Sequence, residues 1–408
     1  MQISGYVQGS VYRSSRRWLA ASTVVCFFIE LAPTLKRNRH NGPESIILGQ
    51  QIFELETYRC ASGKTLRNVR VGYETYGTLS PERDNVILVC HYFSGDAHAA
   101  GPADDTYPLP GWWDSAIGPG KTLDTDRYFI VASNTLANLN ACDGHTVTTG
   151  PASLNPDTGE MYGLDFPLVT VTDFVRVQKR LLEYLGITQL VAVAGPSGGS
   201  AQAIQWSVEY PEMVPRVIAV ISPGLYIHPF AATLMECCAQ PILADPLWKD
   251  GRYDPANPPV KGMTLALRLL TLTALSYDVL GEIGYAPAIE DEHPADSLNN
   301  KFKADAMLDE IAGERARVLD ANSLIYMVRA FKLYDVRHRL HESKARYLFI
   351  PVETDMLFPY HLSETAVAAL KAAGLDAELF LLKSNGGHLD GLSQMEKVRD
   401  VVGEFLTR

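Results

Sequence analysis

The chain has 408 residues, 47% of them hydrophobic, and a formal net charge of −11. It is long enough to bury a sizeable core and too apolar to be disordered, while its acidity leaves no basic footprint for nucleic acid and gives an anionic ligand no long-range help. The six cysteines, Cys26, Cys60, Cys90, Cys142, Cys237 and Cys238, contain no C-x-x-C pair and are too sparse for a disulfide framework, so a reducing compartment is the default.

Residues 1–29 contain no Asp or Glu, carry Arg13, Arg16 and Arg17, and run largely apolar from residue 18 to 29. Three readings of this start stand open: a signal peptide with a weak cleavage site near residues 31–33, a mitochondrial presequence, and a disordered leader. Without a targeting segment the cytoplasm is the default location. The apolar run is about twelve residues, short of the ~20 a spanning helix needs, which argues against an integral membrane protein.

From residue 51 the pattern turns to strands. Residues 52–58 and 69–75, separated by the Ala61-Ser62-Gly63-Lys64 turn, alternate as an antiparallel edge hairpin does. Residues 86–90 are continuously apolar and predict a central strand, which ends in His91-Tyr92-Phe93-Ser94-Gly95-Asp96. His91, Asp96 and His98 invite a metal site, but no further ligand is spaced to join them, so no metal is expected. A strand over 128–132 follows, then a long Asn-, Thr- and Gly-rich stretch over 133–163, of the length that is usually functional or mobile. The periodicity of residues 172–185 predicts a helix with Gly186 as its stop.

The next stretch organises the chain. An apolar run over 190–194 stops at Gly195-Pro196-Ser197-Gly198-Gly199 and gives way to a helical segment that ends at Tyr210-Pro211. This is a G-x-S-x-G turn in a strand-turn-helix context, with small residues where strand and helix backbones must approach. Ser197 is therefore the candidate nucleophile, with the helix N-terminus aimed at any oxyanion formed on its substrate. One oxyanion donor would be the Gly198 amide; the second would come from the loop after an earlier strand, where Phe93 is the candidate.

A strand over 217–221 follows, and residues 226–334 then turn helical, most clearly over 263–277 and 320–334. Strands over 347–352 and 379–383 and helices over 362–373 and 394–406 complete the pattern. Each of these last two strands leads to a titratable residue, Asp355 and His388. In a doubly wound sheet the strand C-terminal ends share one rim with the nucleophile turn, so Ser197, Asp355 and His388 can converge, and Ser, Asp, His is the expected chain order. His388 would serve as general base, and Asp355 would hold its tautomer. The expected fold is α/β, an α/β-hydrolase fold with a mostly parallel doubly wound sheet and a helical lid insertion. Its expected divisions are a leader over 1–45, a core over 46–225 and 335–408, and the lid over 226–334.

At these residues the chain resembles the homoserine O-acetyltransferase family of α/β-hydrolases, over roughly residues 50–408. The resemblance rests on Gly72-Tyr73-Glu74-Thr75-Tyr76-Gly77, His91 through Gly101, Gly111-Trp112-Trp113-Asp114, Ile117-Gly118-Pro119-Gly120-Lys121, and Thr149 through Pro156. It extends over the nucleophile turn with Gln202 and Trp206, and Asp355-Met356-Leu357-Phe358-Pro359. It implies Ser197, Asp355 and His388 as triad and Phe93 and Gly198 as oxyanion donors. The family holds homoserine through an Arg and a Tyr on a lid helix and an Asp directly after the catalytic His; here those positions read Leu267, Ala274 and Leu389, with Arg268 and Asp390 one place off. The segment Asn138 through His145 replaces the family's shorter Gly-rich loop and resembles a branch described as esterases. The leading expectation is a serine carboxylic-ester hydrolase without a cofactor. An O-acyltransferase using acetyl-CoA as co-substrate on an acceptor other than homoserine is the alternative, and a catalytically silent binding protein is the third reading. The expected partner is a small-molecule ester or acyl donor, with no nucleic acid and with a homodimer left open.

Overall fold

The structure, a computed structural model, describes residues 50–408; the expected leader over 1–45, with its targeting readings, lies outside the described residues. The sheet begins with the hairpin of β1 (Gln51–Arg59) and β2 (Thr65–Tyr76), antiparallel with Phe53 opposite Val71 and Leu55 opposite Val69. Then come β3 (Val86–Cys90), β4 (Phe129–Ser133), β5 (Ala192–Pro196), β6 (Arg216–Val220), β7 (Arg346–Ile350) and β8 (Ala377–Leu379). Their spatial order is β1-β2-β4-β3-β5-β6-β7-β8, and every pair beyond the β2–β4 junction is parallel.

Strand alternation divides the core in two. Val86, Leu88, Val131, Val193, Val217 and Phe349 face one side of the sheet, and Ile87, Val89, Ile130, Ala194, Ile218 and Ile350 face the other. Both faces are covered, which is why β3 reads as an unbroken apolar run rather than as an alternating one. Each fully buried Val, Leu, Ile or Phe among them contributes about 1.5–3 kcal/mol.

The helices α1 (Val171–Tyr184) and α2 (Gly198–Glu209) flank β5, and α1 opens with a reciprocal capping box between Thr170 and Asp173. Between β6 and β7 the chain forms α3 (Pro229–Leu243), α4 (Val260–Ala274), α5 (Tyr277–Ile283), α6 (Lys303–Ala316) and α7 (Ala321–Lys332). Helix α8 (His361–Ala372) follows β7, and α9 (Asp390–Ser393) and α10 (Arg399–Thr407) close the chain.

Three elements depart from the expected pattern. The helix expected over 263–277 stops at Ala274, and α5 leaves at 110° to α4. The buried Ser276 causes the break: its hydroxyl accepts the Val279 N–H as an N-cap and donates to the Asn385 carbonyl. The helix expected over 394–406 is divided into a 3₁₀ turn, Met395–Val398, and α10. The strand expected over 379–383 is β8, Ala377–Leu379, and its pairing continues beyond only as an isolated bridge between Val352 and Leu382. Within the expected lid, α7 packs on α3, with Lys332 paired to Glu236 at 2.5 Å, and it also meets residues outside the lid: the Phe331 ring lies 5.8 Å from Phe93 and 6.3 Å from Phe174, and the Tyr326 hydroxyl donates to the Phe166 carbonyl. Helical periodicity marks an apolar face but not the surface that covers it. Among the described residues no single helix is long and apolar enough to cross a membrane.

Candidate active site

The site is built on the turn between β5 and α2. Ser197 has φ 54° and ψ −120°, a left-handed conformation that costs a non-glycine residue about 1–3 kcal/mol and persists only where its surroundings enforce it. Its N–H donates to the Val220 carbonyl at 2.9 Å. Gly195 and Gly199 are required by close approach: a Cβ on Gly199 would stand 2.0 Å from the Cys90 carbonyl oxygen, and one on Gly195 would stand 2.5 Å from the Gly199 backbone. Behind the turn, Gln202 donates to the His91 carbonyl at 3.0 Å and accepts from Gln178 at 2.9 Å, and Trp206 donates to Gln178 at 2.7 Å. This buried amide chain locks α2 to α1 and to the end of β3.

The Phe93 and Gly198 amides lie side by side. A Cβ built on Gly198 would fall 3.2 Å from the Phe93 nitrogen, and among the described residues neither N–H has a hydrogen-bond partner. Two adjacent unpaired donors at the N-terminus of α2 suit an oxyanion.

His388 sits on the 3₁₀ turn Gly387–Leu389. Its Nδ1 lies 2.7 Å from Asp355 Oδ2, and Asp355 Oδ1 accepts the Leu357 and Phe358 amides at 2.8 and 2.9 Å. A second link joins the two loops: the Gly387 amide donates to Thr354 Oγ1 at 3.1 Å, and that hydroxyl donates to the Ser384 carbonyl at 2.8 Å. Gly387, at φ +77°, packs against the α4–α5 break, since a Cβ there would meet the Ser276 nitrogen at 2.8 Å.

Ser197 and His388 open onto one cavity of about 310 Å³. Phe93, Gly198, Leu267, Ala274 and Leu389 line it too, while Asp355 lies behind His388 with 4% exposure. All eight residues expected at the site are therefore gathered at this cavity or directly behind it. Arg268 and Asp390 are engaged elsewhere. Arg268 pairs with Asp305 at 2.7 Å and Asp309 at 2.8 Å, tying α4 to α6, and Asp390 accepts the Gly386 amide at 2.7 Å and hydroxyls of Ser384 and Ser393.

The cavity lining combines apolar groups and polar ones. Leu267, Leu270, Ala274, Met235, Phe331 and Leu389 are among the apolar groups; Asp96, His98, Asn140, Asp143, His145 and Arg315 are among the polar ones. His98 Nδ1 lies 3.1 Å from Glu74, and its ring stacks on Tyr107 at 3.7 Å. Burial, reinforced by the neighbouring Asp143, pushes the Asp96 carboxyl up to about 7. Burial also lowers His91 to about 4, so its ring is neutral at neutral pH. Both ring nitrogens are engaged: Nδ1 donates to the Tyr92 carbonyl at 2.7 Å and Nε2 accepts the Thr135 amide at 3.2 Å. Among the described residues no cluster of His, Cys, Asp or Glu is arranged to hold a metal ion.

Sequence reasoning missed Asn138, Asn140, Gln178 and Arg315. Gln178 carried a signal, as a polar residue on the otherwise apolar face of a predicted helix. Arg315 carried none, because its partner lies 221 residues away.

No protein-family model matches the chain. The chain is 39% identical over 362 residues to a homoserine O-acetyltransferase from Methanococcoides burtonii, covering 87% of this chain and 72% of the relative. Among solved structures, esterase E22 is 42% identical with a TM-score of 0.83, covering 88% of this chain and 99% of its own. Homoserine O-acetyltransferase from Bacillus anthracis is 36% identical, also with a TM-score of 0.83, covering 89% and 98%. The chain thus belongs to the homoserine O-acetyltransferase family and is an α/β-hydrolase enzyme of acyl transfer.

Proposed function

We propose that the protein is a serine carboxylic-ester hydrolase. The Ser197 hydroxyl attacks the ester carbonyl as His388 Nε2 takes its proton, and the Phe93 and Gly198 amides hold the resulting oxyanion. The imidazolium, steadied by Asp355, returns the proton to the departing alkoxide and leaves an acyl-Ser197 ester. His388 then deprotonates a water that attacks this ester, and collapse of the second oxyanion releases the carboxylic acid and Ser197. These steps use no metal and no tightly bound cofactor.

The carrying observation is the apolar wall of Leu267, Ala274 and Leu389 at the positions where family resemblance expects the homoserine anchors. A zwitterionic acceptor there would bury its ammonium and carboxylate against hydrocarbon, a loss of several kcal/mol. Water or an uncharged alcohol has no such penalty.

The second reading, an O-acyltransferase, is favoured by the homoserine O-acetyltransferase relatives. Acetyl-CoA would then be the acyl donor and an uncharged hydroxyl compound the acceptor, with the first half-reaction unchanged. The discriminating experiment measures acyl release from a simple ester and from acetyl-CoA, with and without a panel of alcohols. Hydrolysis unaffected by alcohols supports the esterase; acceleration by one alcohol, with its acetyl ester as product, supports the transferase.

A further inference from the structure

The turn that carries the Phe93 amide is held by side chains the proposed mechanism does not use. Gly95 N–H donates to the Tyr92 carbonyl at 3.0 Å, so residues 92–95 form a tight turn with Phe93 and Ser94 at its centre. His91 Nδ1 donates to the same Tyr92 carbonyl, the one in the planar peptide whose N–H belongs to Phe93. The far side of the turn is clamped as well. The Ser94 carbonyl accepts from Asn140 Nδ2 at 3.1 Å and from Arg315 Nη2 at 3.2 Å, and the Gly95 carbonyl accepts from Asn138 Nδ2 at 2.9 Å and Asn140 Nδ2 at 3.2 Å. Asn138 Oδ1 in turn accepts the Asn140 backbone amide at 2.9 Å.

Two features set Arg315 and Asn140 apart from ordinary loop packing. Asn140 belongs to the long Asn-, Thr- and Gly-rich stretch between β4 and α1, and both of the carbonyls it grips lie on the oxyanion turn. Arg315 comes from α6 in the expected lid and is the one Arg or Lys among the described residues lining the cavity. Among the described residues no carboxylate pairs with it, and its guanidinium also lies beside the Tyr92 hydroxyl.

We propose that Arg315 and Asn140 are positioning residues of the oxyanion hole: by gripping the Ser94 carbonyl they aim the Phe93 amide, and Arg315 ties that aim to the seating of helix α6 over the site. This rests on the esterase or acyltransferase reading above. A donor displaced by a fraction of an ångström binds the ground-state carbonyl almost as well but loses the shorter contacts of the tetrahedral oxyanion, so the loss falls on kcat.

The test uses the full chain and four variants, Arg315→Ala, Arg315→Gln, Arg315→Lys and Asn140→Asp, each checked for wild-type-like thermal unfolding. Substrates are a neutral p-nitrophenyl butyrate and a carboxylate-bearing p-nitrophenyl hemisuccinate, and phenylboronic acid serves as the tetrahedral probe. For Arg315→Ala, Arg315→Gln and Asn140→Asp, kcat should fall roughly 10- to 100-fold on both esters with KM little changed. Phenylboronic acid affinity should fall in parallel with kcat/KM, and Arg315→Lys should recover part of the loss. A loss confined to KM, or to the hemisuccinate ester alone, with phenylboronic acid affinity intact, would overturn the proposal and make Arg315 an anchor for a substrate carboxylate. Unchanged kcat in these variants would overturn it too, while an inactive Ser197→Ala would leave the reading of the reaction standing. An active Ser197→Ala would instead bring down that reading.

Discussion

Asp355 divides its two carboxylate oxygens between two tasks: Oδ2 meets His388 Nδ1 at 2.7 Å, while Oδ1 is fixed by the amides of Leu357 and Phe358. The backbone thus sets the carboxylate before any substrate arrives, and the carboxylate sets the imidazole. Asp355→Asn keeps the shape but offers His388 an amide that can impose the wrong tautomer. Its kcat should fall by roughly 10³- to 10⁴-fold with thermal stability close to that of the wild type. Steady-state kinetics beside a melting curve check this; a loss of activity matched by unfolding would remove the catalytic interpretation.

Gly199→Ala should be far more damaging than its small change in volume suggests. The new methyl would stand 2.0 Å from the Cys90 carbonyl oxygen and 3.0 Å from that of His91, both backbone atoms that cannot rotate away. Expected are a loss of about 3 kcal/mol or more, a low soluble yield and no esterase activity. Gly313→Ala is the control. It lies inside α6 with no atom within 4 Å of the added carbon, and it should raise stability by about 0.5–1 kcal/mol. Denaturant melts of the pair measure the contrast.

The acceptor side is tested by building what is missing. Homoserine should scarcely speed acyl release from the unmodified enzyme, because Leu267, Ala274 and Leu389 give its charges no partners. Leu267→Arg, Ala274→Tyr and Leu389→Asp installed together should increase transfer to homoserine at the expense of hydrolysis, since a half-built charged site is worse than none. A kcat/KM of ~10⁴ M⁻¹s⁻¹ or above for homoserine acetylation by the unmodified enzyme, within the ordinary enzyme range, contradicts this account.

Much of the site was legible because its residue types are constrained by backbone geometry and strand order. The apolar run 86–90 is a strand at those bounds, and Gly195 and Gly199 mark the place where β5 and α2 nearly touch. Asp355 and His388 follow two successive parallel strands, which puts them on one rim. The break after Ala274 was not legible, because Ser276 caps α5 partly by bonding to Asn385, a partner 109 residues away. Nor was the hold of Arg315 on Ser94, since a lysine- and arginine-bearing helix reads as a solvated face until its neighbour is known.

Asp96 makes a pH-dependent contribution whose sign follows from its burial. Its folded pKa, about 7, lies above the 3.8 of the unfolded chain, so the folded state holds the proton more tightly between these values and stability is lost as pH rises through 7. His91 has the opposite slope between about 4 and 6.5, so the wild-type curve mixes the two and the difference between variant and wild type is the quantity to read. Asp96→Asn keeps an acceptor for the His98 amide and removes the half-buried charge. Its Tm should exceed that of the wild type by roughly 2 °C at about pH 8, and the two should converge below about pH 4. A difference that is constant with pH contradicts the assignment.

The central claim is a covalent acyl-enzyme on Ser197, and rapid mixing with p-nitrophenyl acetate tests it most directly. The reaction is quenched in acid within the first turnover, and the digest is weighed peptide by peptide. The expected result is one acetyl group on the peptide containing Ser197, a p-nitrophenol burst of about one per enzyme molecule, and neither in Ser197→Ala. An unacetylated Ser197 peptide, or a Ser197→Ala enzyme that keeps more than about a tenth of the wild-type turnover, contradicts the claim.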